Sequence, residues 1–313
     1  MVAAEIFFQS LIAGLLVGSV YGLMCVGLGL IFGLMRVINF AQGEFLMLGM
    51  YGTFYVFGWL GLSGLLGPVL ASVVSSAFSF ALGWTIHRWL LSKSTGRAVA
   101  GTEGDGHYQQ LILTLGVSLV LANGALLVFG NLPLSIRTPF ASEAWELGPL
   151  GPDGLLLFFF NKARVVVLLS AVLLTMGTYL FISRSRLGKT LRAAADNPDA
   201  ATYMGIDVER AHRISFSLGV AITAVAGGLV ASYYPFQPYI GLEFVVIMYA
   251  GVVLGGLGSI MGPFWGGLII GVVQQLSALV LPMQLQNGTI FVLFLLVILF
   301  RPQGLFGKNV ERV

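Results

Sequence analysis

Long apolar stretches, repeated from one end of this chain to the other, limit its possible folds more than any other feature. Of the 313 residues, 57% are hydrophobic and only 9% are charged. A soluble domain of average composition carries about 25% charged residues, so a soluble fold of this chain would lack polar surface for water. Because about 20 consecutive apolar residues cross a bilayer as a helix, the composition predicts a polytopic membrane protein surrounded by membrane lipid.

The apolar stretches predict an all-α fold, a polytopic transmembrane helical bundle of about nine spans that forms a single domain over residues 1–313. The seventh and ninth spans are short, so they are either half-helices of a broken helix or extend into their flanks. The predicted spans are Phe8–Leu34, Phe45–Gly61, Gly67–Leu91, Gln109–Gly130, Val165–Ser183, Ile214–Phe236, Phe244–Leu257, Pro263–Leu281 and Thr289–Phe300.

The distribution of lysine and arginine predicts the orientation, because cytoplasmic loops of membrane proteins carry an excess of both. With nine spans and a cytoplasmic C-terminus, all but three of the 16 basic residues lie inside. The N-terminus and the loop 131–163 are then periplasmic, and the polar loop 184–213 is cytoplasmic. Basic residues scattered at span ends in this way do not favour nucleic-acid binding. Those placed inside include Lys93, Arg97, Arg184, Arg186, Lys189, Lys308 and Arg312, and those placed outside are Arg137, Lys162 and Arg164.

A polar cluster separates the first two spans, where Asn39, Gln42 and Glu44 lie within six residues. Ionisable residues at membrane depth are costly and usually face a cavity or the protein interior. One interpretation is a broken helix whose polar groups line a translocation pathway. The other is a cytoplasmic turn with Arg36 and Glu44 at the membrane interface, and the spacing alone leaves both open.

A glycine series runs through the seventh and eighth predicted spans, from Gly251 to Gly271, with a weaker series at Gly14, Gly18 and Gly22. Glycines four residues apart allow helix backbones to approach closely, so close packing is one interpretation. The other adds a break at Ser259 that lines a pore. The candidate pathway residues are therefore Asn39, Gln42, Glu44, Gly255, Gly256, Gly258, Ser259 and Gly262.

The sequence of the loop 184–213 predicts two short helices. If a partner protein docks on them, this segment is a coupling loop. Gly188-Lys189-Thr190 does not form a phosphate-binding loop, because the preceding glycine is absent and a membrane helix precedes it. We expect a basic helix that stops at Asn197-Pro198 and a second helix with Asp199 as N-cap and Gly205 at its end. The second helix should expose Ala200, Ala201, Tyr203 and Met204 to a groove on a partner.

Enzyme chemistry and metal binding have little support in this sequence. His87, His107 and His212 are far apart, and none shares a helical face with a second ligand. Cys25 is the single cysteine and lies within an apolar helix, so no thiolate zinc site is expected. We therefore expect a transport subunit that carries no catalytic residues, metal or cofactor.

These segments together resemble the permeases of high-affinity branched-chain amino acid ABC transporters over nearly the whole chain. Several ordered motifs at the right separations make the resemblance specific, although Gln42 stands where many members have histidine. The motifs are Gly18-Ser-Val-Tyr-Gly-Leu23, Ile38-Asn-Phe-Ala-Gln-Gly-Glu44, Arg192-Ala-Ala-Ala-Asp-Asn-Pro-Asp-Ala-Ala201, Met204-Gly-Ile-Asp207, Val253-Leu-Gly-Gly-Leu-Gly-Ser-Ile-Met-Gly262 and Phe300-Arg-Pro-Gln-Gly-Leu-Phe306.

The resemblance implies a subunit of the bacterial inner membrane that imports branched-chain amino acids, or a similar small amphipathic solute, from periplasm to cytoplasm. Its implied partners are a second permease chain, related or identical, a periplasmic substrate-binding protein, and two cytoplasmic subunits that bind the ATP. The alternative is a secondary transporter that works alone and uses Glu44 to couple protons or sodium. The residues expected to contact the ATPases are Gly188, Arg192, Asp196, Ala200, Ala201, Met204, Gly205 and Ile206.

Overall fold

The computed structural model describes residues 2–92, 105–301 apart from 137, 139, 141, 151–155 and 257, and residues 303–307. Each predicted span coincides with a helix in this part of the chain, so the all-α fold is confirmed. The nine helices are α1 (Val2–Met35), α2 (Gln42–Trp59), α3 (Gly67–Ile86), α4 (Asp105–Phe129), α5 (Lys162–Arg184), α8 (Val208–Val230), α9 (Gly241–Gly255), α10 (Gly262–Ser277) and α11 (Met283–Phe300). Two short helices, α6 (Arg186–Asp196) and α7 (Pro198–Tyr203), connect α5 to α8.

The described helices differ in length and apolar character. Five are long and apolar enough to cross a membrane: Glu5–Met35, Gly67–Leu91, Gln109–Phe129, Lys162–Arg184 and Val208–Val230. Gly241–Gly255 and Leu285–Phe300 are shorter apolar helices, in agreement with the short seventh and ninth predicted spans. The eighth is also shorter than predicted, because α10 ends at Ser277.

Helix α1 lies at the centre of the bundle and packs against α10 through small residues. A Cβ atom built on Gly22 would lie 2.7 Å from the carbonyl oxygen of Phe264, and one built on Gly18 would lie 2.5 Å from that of Leu268. Real Cβ contacts are not that short, so the two backbones touch only because these side chains are absent. We call this contact the glycine seam, formed by Gly14, Gly18 and Gly22 on α1 and by Gly267 and Gly271 on α10.

Helices α2 and α8 pack side by side next to α1 and complete the core. A Cβ atom on Gly49 of α2 would lie 2.5 Å from the Cα of Ala224, and Gly227 of α8 lies against the backbone of Leu46. Large side chains fill the space around these close approaches, among them the fully buried Met24 and Phe45. Dispersion between helices is the main packing force in lipid, and this arrangement places the first turn of α2 inside the bundle.

A two-stranded hairpin lies in the segment that was predicted only as a periplasmic loop. Strand β1 (Ala144–Leu150) pairs antiparallel with β2 (Leu156–Asn161), and the register shifts between Leu147 and Leu150. The hairpin adds two strands to an otherwise helical chain. Asn161 then caps α5, since its side chain accepts a hydrogen bond from the backbone N–H of Arg164 at 3.1 Å.

Helix α6 packs beside the end of α1. Leu30 and Leu34 of α1 share a buried cluster with Leu191 and Ala194 of α6 and with Ala211 of α8. The coupling loop predicted at 184–213 therefore belongs to the same body as the bundle. Five basic residues used to predict the orientation of the chain, Lys93, Arg97, Arg137, Lys308 and Arg312, lie outside the described residues.

Candidate functional site

The predicted break between the first two spans is a short irregular segment between α1 and α2. Helix α1 ends at Met35, and Arg36 follows with a φ of 55°, in the left-handed region that costs a non-glycine residue energy. Arg36 is exposed, but Asn39 and Gln42 are 0% exposed and Glu44 is 1% exposed. The segment thus combines features of both interpretations, a turn at its start and a buried polar cluster at its end.

Asn39 and Gln42 form a hydrogen-bonded pair that reaches α8. The Asn39 amide nitrogen donates to Gln42 Oε1 at 2.8 Å, and Gln42 Nε2 donates to Thr223 Oγ1 at 2.5 Å and to the carbonyl oxygen of Gly219 at 3.3 Å. Buried amides need such partners, because leaving them unpaired costs about 1–3 kcal/mol each. The pair therefore holds the start of α2 against α8.

Glu44 lies two residues after Gln42, in the first turn of α2, and faces α4 and α9. Ser118 of α4 donates a hydrogen bond to Glu44 Oε1 at 3.3 Å. Glu44 Oε2 has no hydrogen-bond partner among the described residues, and a Cβ atom on Gly241 would lie 2.9 Å from it. A buried carboxylate with one satisfied oxygen is costly in a protein interior, which makes Glu44 the most unusual polar group of this cluster.

The glycine-rich candidates Gly255, Gly256, Gly258, Ser259 and Gly262 occupy a different place, the turn between α9 and α10. Ser259 Oγ accepts a hydrogen bond from the backbone N–H of Gly262 at 2.9 Å, at the start of α10. The C-terminal segment closes over this turn, since the N–H groups of Leu305 and Phe306 donate to the carbonyl oxygens of Leu254 and Gly255. This geometry favours the packing interpretation for these residues, and their place in a pathway stays a prediction.

The segment 185–207, which we call the elbow, is built from local caps. The Ser185 side chain accepts from Gly188 N at 2.9 Å and begins α6. Asn197, and not Asp199, caps α7, because its side chain accepts from Ala200 N at 3.0 Å and Pro198 occupies the first helical position. The predicted N-cap was therefore wrong by two residues, although the stop at Asn197-Pro198 is where the sequence placed it.

Gly205 ends α7 as predicted. Its φ is 80°, its N–H donates to the carbonyl oxygen of Thr202, and the N–H of Ile206 donates to that of Ala201, both at 2.9 Å. This pair of bonds satisfies the last carbonyl groups of the helix in the manner of a glycine C-cap. The Asp207 side chain then accepts from Arg210 N at 2.9 Å and begins α8.

The elbow has a buried side and an exposed side. Tyr203 and Met204 are 89% and 82% exposed, which puts two large apolar side chains at its tip. Ala201 was expected to be exposed, but it is buried, because α7 turns that face toward the bundle. Among the other predicted contact residues, Asp196, Ala200 and Gly205 are exposed, Arg192 and Ile206 are half-buried, and Gly188 is buried.

The buried elbow residues fix its attachment to α5. A Cβ atom on Gly188 would lie 2.5 Å from the carbonyl oxygen of Phe181, so α6 touches the backbone of α5 there. Arg192 Nη2 donates to the carbonyl oxygen of Ser183 at 3.1 Å. Gly188, Arg192 and Ala201 thus position the elbow, whereas the residues at its exposed tip are free to contact another chain.

Sequence reasoning missed the polar partners that α4 and α8 supply. Thr114, Ser118 and Thr223 all bond to the segment around Gln42 and Glu44. A signal was present, since Thr114 and Ser118 are four residues apart and share a face of an otherwise apolar helix with Ala122 and Ala125. Their partner lies more than 70 residues away in the chain, and the sequence pattern did not reveal it.

A bundle of apolar helices with a buried polar cluster and an attached elbow fits a polytopic membrane protein. The family described as branched-chain amino acid transport system / permease component matches residues 10–300. The chain belongs to this family.

Two relatives match over almost the whole length of the chain, and a third matches over part of it. The permease protein LivH of the high-affinity branched-chain amino acid transport system of Escherichia coli is 31% identical over 98% of both chains. BraD, with the same description in Pseudomonas aeruginosa, is 32% identical over 98% of both chains. LsrD of Photorhabdus temperata, a permease protein of an autoinducer 2 import system, is 29% identical over 64% of both chains.

Family membership establishes the class of function. The chain is a multi-pass protein of the inner membrane and the membrane-spanning permease subunit of an ABC importer, not an enzyme. A permease of this class implies ATPase and substrate-binding partners. The alternative of a secondary transporter that works alone is not favoured by these relatives.

Proposed function

We propose that this chain imports amino acids with branched apolar side chains from the periplasm to the cytoplasm by alternating access. LivH and BraD are both permeases for branched-chain amino acids, and each matches over 98% of this chain, whereas the autoinducer permease matches over 64%. The apolar bundle fits such a cargo, because transfer of an apolar side chain from water into an apolar environment is favourable.

We also propose that two cytoplasmic ATPases drive this transport, and the elbow is the observation that supports it. Its tip exposes Tyr203 and Met204, while Gly188, Ala201 and Leu191 anchor it against α1, α5 and α8. A rigid element with large exposed side chains can transmit the closure of a partner to the helices behind it. We assign contact with the ATPases to the elbow, with Asp196, Ala200, Met204 and Gly205 on its exposed side and Arg192 and Ile206 behind them.

The orientation and the assembly are part of the same proposal. The elbow and the C-terminal segment lie on the cytoplasmic side, and the N-terminus and hairpin lie on the periplasmic side, where a binding protein delivers the cargo. A second permease chain, related or identical, completes the transporter, and the whole chain acts as one transmembrane domain. The pathway passes Asn39, Gln42 and Glu44 and leaves near Gly255, Gly256, Gly258, Ser259 and Gly262.

The test is uptake of radiolabelled leucine by liposomes that contain the complete assembly with its binding protein. We expect uptake with ATP inside and little with a non-hydrolysable ATP analogue, because alternating access needs repeated opening and closing of the ATPases. Omission of the binding protein should also stop uptake. Uptake that follows a proton or sodium gradient and ignores ATP would contradict the proposal.

A further inference from the structure

The unusual burial of Glu44 points to a ligand. The residue is 1% exposed, and its Oε2 atom has no partner among the described residues. The described part of the chain contains two ion pairs, Lys162 with Glu143 and Arg213 with Glu209, and neither neutralises Glu44. An unpaired buried carboxylate is costly, and a cationic group at Oε2 would offset that cost.

Two features of the position of Glu44 on α2 favour its charged form. It is the third residue of the helix, where the positive end of the helix dipole favours a negative side chain. The hydrogen bond from Ser118 adds a second favourable contact. Neither contact supplies a full positive charge, and Oε2 is left available for a cationic group.

Aromatic residues follow Glu44 along the same face of α2. Tyr51 and Tyr55 are 7 and 11 residues further on, spacings that keep side chains on one side of a helix. Tyr51 stacks on Phe129 of α4 with 4.1 Å between ring centroids, and its ring lies 5.0 Å from that of Phe236. Along the helix, the ring of Tyr51 and its two partners lie between Glu44 and the far end of α2.

A cavity of about 350 Å³ lies beyond the stacked rings. It is lined by Phe54, Tyr55, Trp59 and Ile136, on the side that the proposed orientation makes periplasmic. Eleven residues of helix separate Glu44 from Tyr55, which is about 16 Å along the axis. We call this cavity the vestibule, and along α2 the stack of Tyr51 on Phe129 lies between it and Glu44.

We propose that Glu44 binds the ammonium group of the amino acid in transit, after the Tyr51–Phe129 stack has opened to admit it from the vestibule. The ammonium group supplies the missing positive charge at Oε2, and the rings of Tyr51 and Phe129 contact the apolar side chain. The site then recognises a primary ammonium attached to an apolar group. This inference rests on the proposed function, because it assumes that an amino acid is the cargo.

The experiment compares four assemblies in liposomes with ATP and the binding protein: wild type, Glu44→Gln, Glu44→Asp and the control Glu243→Gln, an exposed acid at the start of α9. We expect Glu44→Gln to lower leucine uptake about 100-fold, since truncating one side of a buried charge pair costs several kcal/mol. Glu44→Asp should restore part of the uptake because it keeps the charge. Glu243→Gln should transport like wild type, and ATP hydrolysis stimulated by the loaded binding protein should persist in all four.

Two results would overturn this inference. Leucine uptake by Glu44→Gln at the wild-type rate would show that the carboxylate does not bind the cargo. An aspartate variant as inactive as the glutamine variant would show that the shape of Glu44 matters and its charge does not. Wild-type uptake that ignores ATP would instead overturn the proposed function, so the two failures can be told apart.

Discussion

The glycine seam and the elbow both depend on glycine, but for different physical reasons. In the seam, a Cβ atom on Gly18 would lie 2.5 Å from the carbonyl oxygen of Leu268. In the elbow, a Cβ atom on Gly205 would meet nothing within 4 Å, but the residue has a φ of 80°. The first glycine is required by a neighbouring helix and the second by its own backbone conformation.

The seam and the elbow have different roles in the molecule. Close backbone contact in the seam joins α1 to α10, so a larger residue there forces whole helices apart. The elbow is stabilised by the caps at Ser185, Asn197 and Gly205, and changes there stay local. Mutations in the seam should therefore damage folding, whereas mutations at the elbow tip should damage coupling to the ATPases.

The largest effect is expected for Gly18→Leu in the seam. The side chain would overlap the backbone of α10, and overpacking of this kind costs about 3 kcal/mol or more. The thermal unfolding midpoint of the purified chain in detergent should fall sharply. Gly177→Leu is the matched control, because nothing lies within 4 Å of a Cβ atom at Gly177 of α5. Equal midpoints for the two variants would show that the seam does not need glycine.

A smaller effect is expected at Gly205. Gly205→Val should destabilise the end of α7 by about 1–2 kcal/mol, because a branched residue resists a left-handed conformation. Gly205→Asn should cost less, since asparagine tolerates that region. We expect the thermal midpoint of the bundle to stay near wild type for both, while valine alone weakens ATP-driven uptake. If the Gly205→Val variant instead lost its folded bundle, the elbow would be as important for folding as the seam, which would contradict the comparison.

Much of the fold was predictable from the sequence. All nine apolar stretches form helices, because backbone groups in lipid must be satisfied within the segment. The stop at Asn197-Pro198 and the end at Gly205 followed from local chemistry. The cap at Asn197 was missed because Asn197 and Asp199 are both good N-caps. The choice depends on Pro198, which suits the first position of the helix.

The candidate site was less predictable, because its contacts join distant parts of the chain. The sequence singled out Asn39, Gln42 and Glu44, but their bonds to Thr223 and Ser118 come from helices 181 and 74 residues away. The stack of Tyr51 on Phe129 likewise arises from tertiary packing. Periodicity places a residue on a helix face, and packing alone decides which helix that face meets.

Substitution of one residue at the elbow tip tests the central claim, that the elbow docks the ATPases, most directly. Met204→Glu puts a charge on an exposed apolar side chain, and Leu132→Glu, 78% exposed and far along the chain, is the matched control. The measurement is the amount of ATPase that co-purifies with the assembly, together with ATP-driven leucine uptake. We expect Met204→Glu to lower both about tenfold or more, as for a residue central to an interface, and Leu132→Glu to leave both at wild-type levels. Full co-purification and uptake with Met204→Glu would contradict the account.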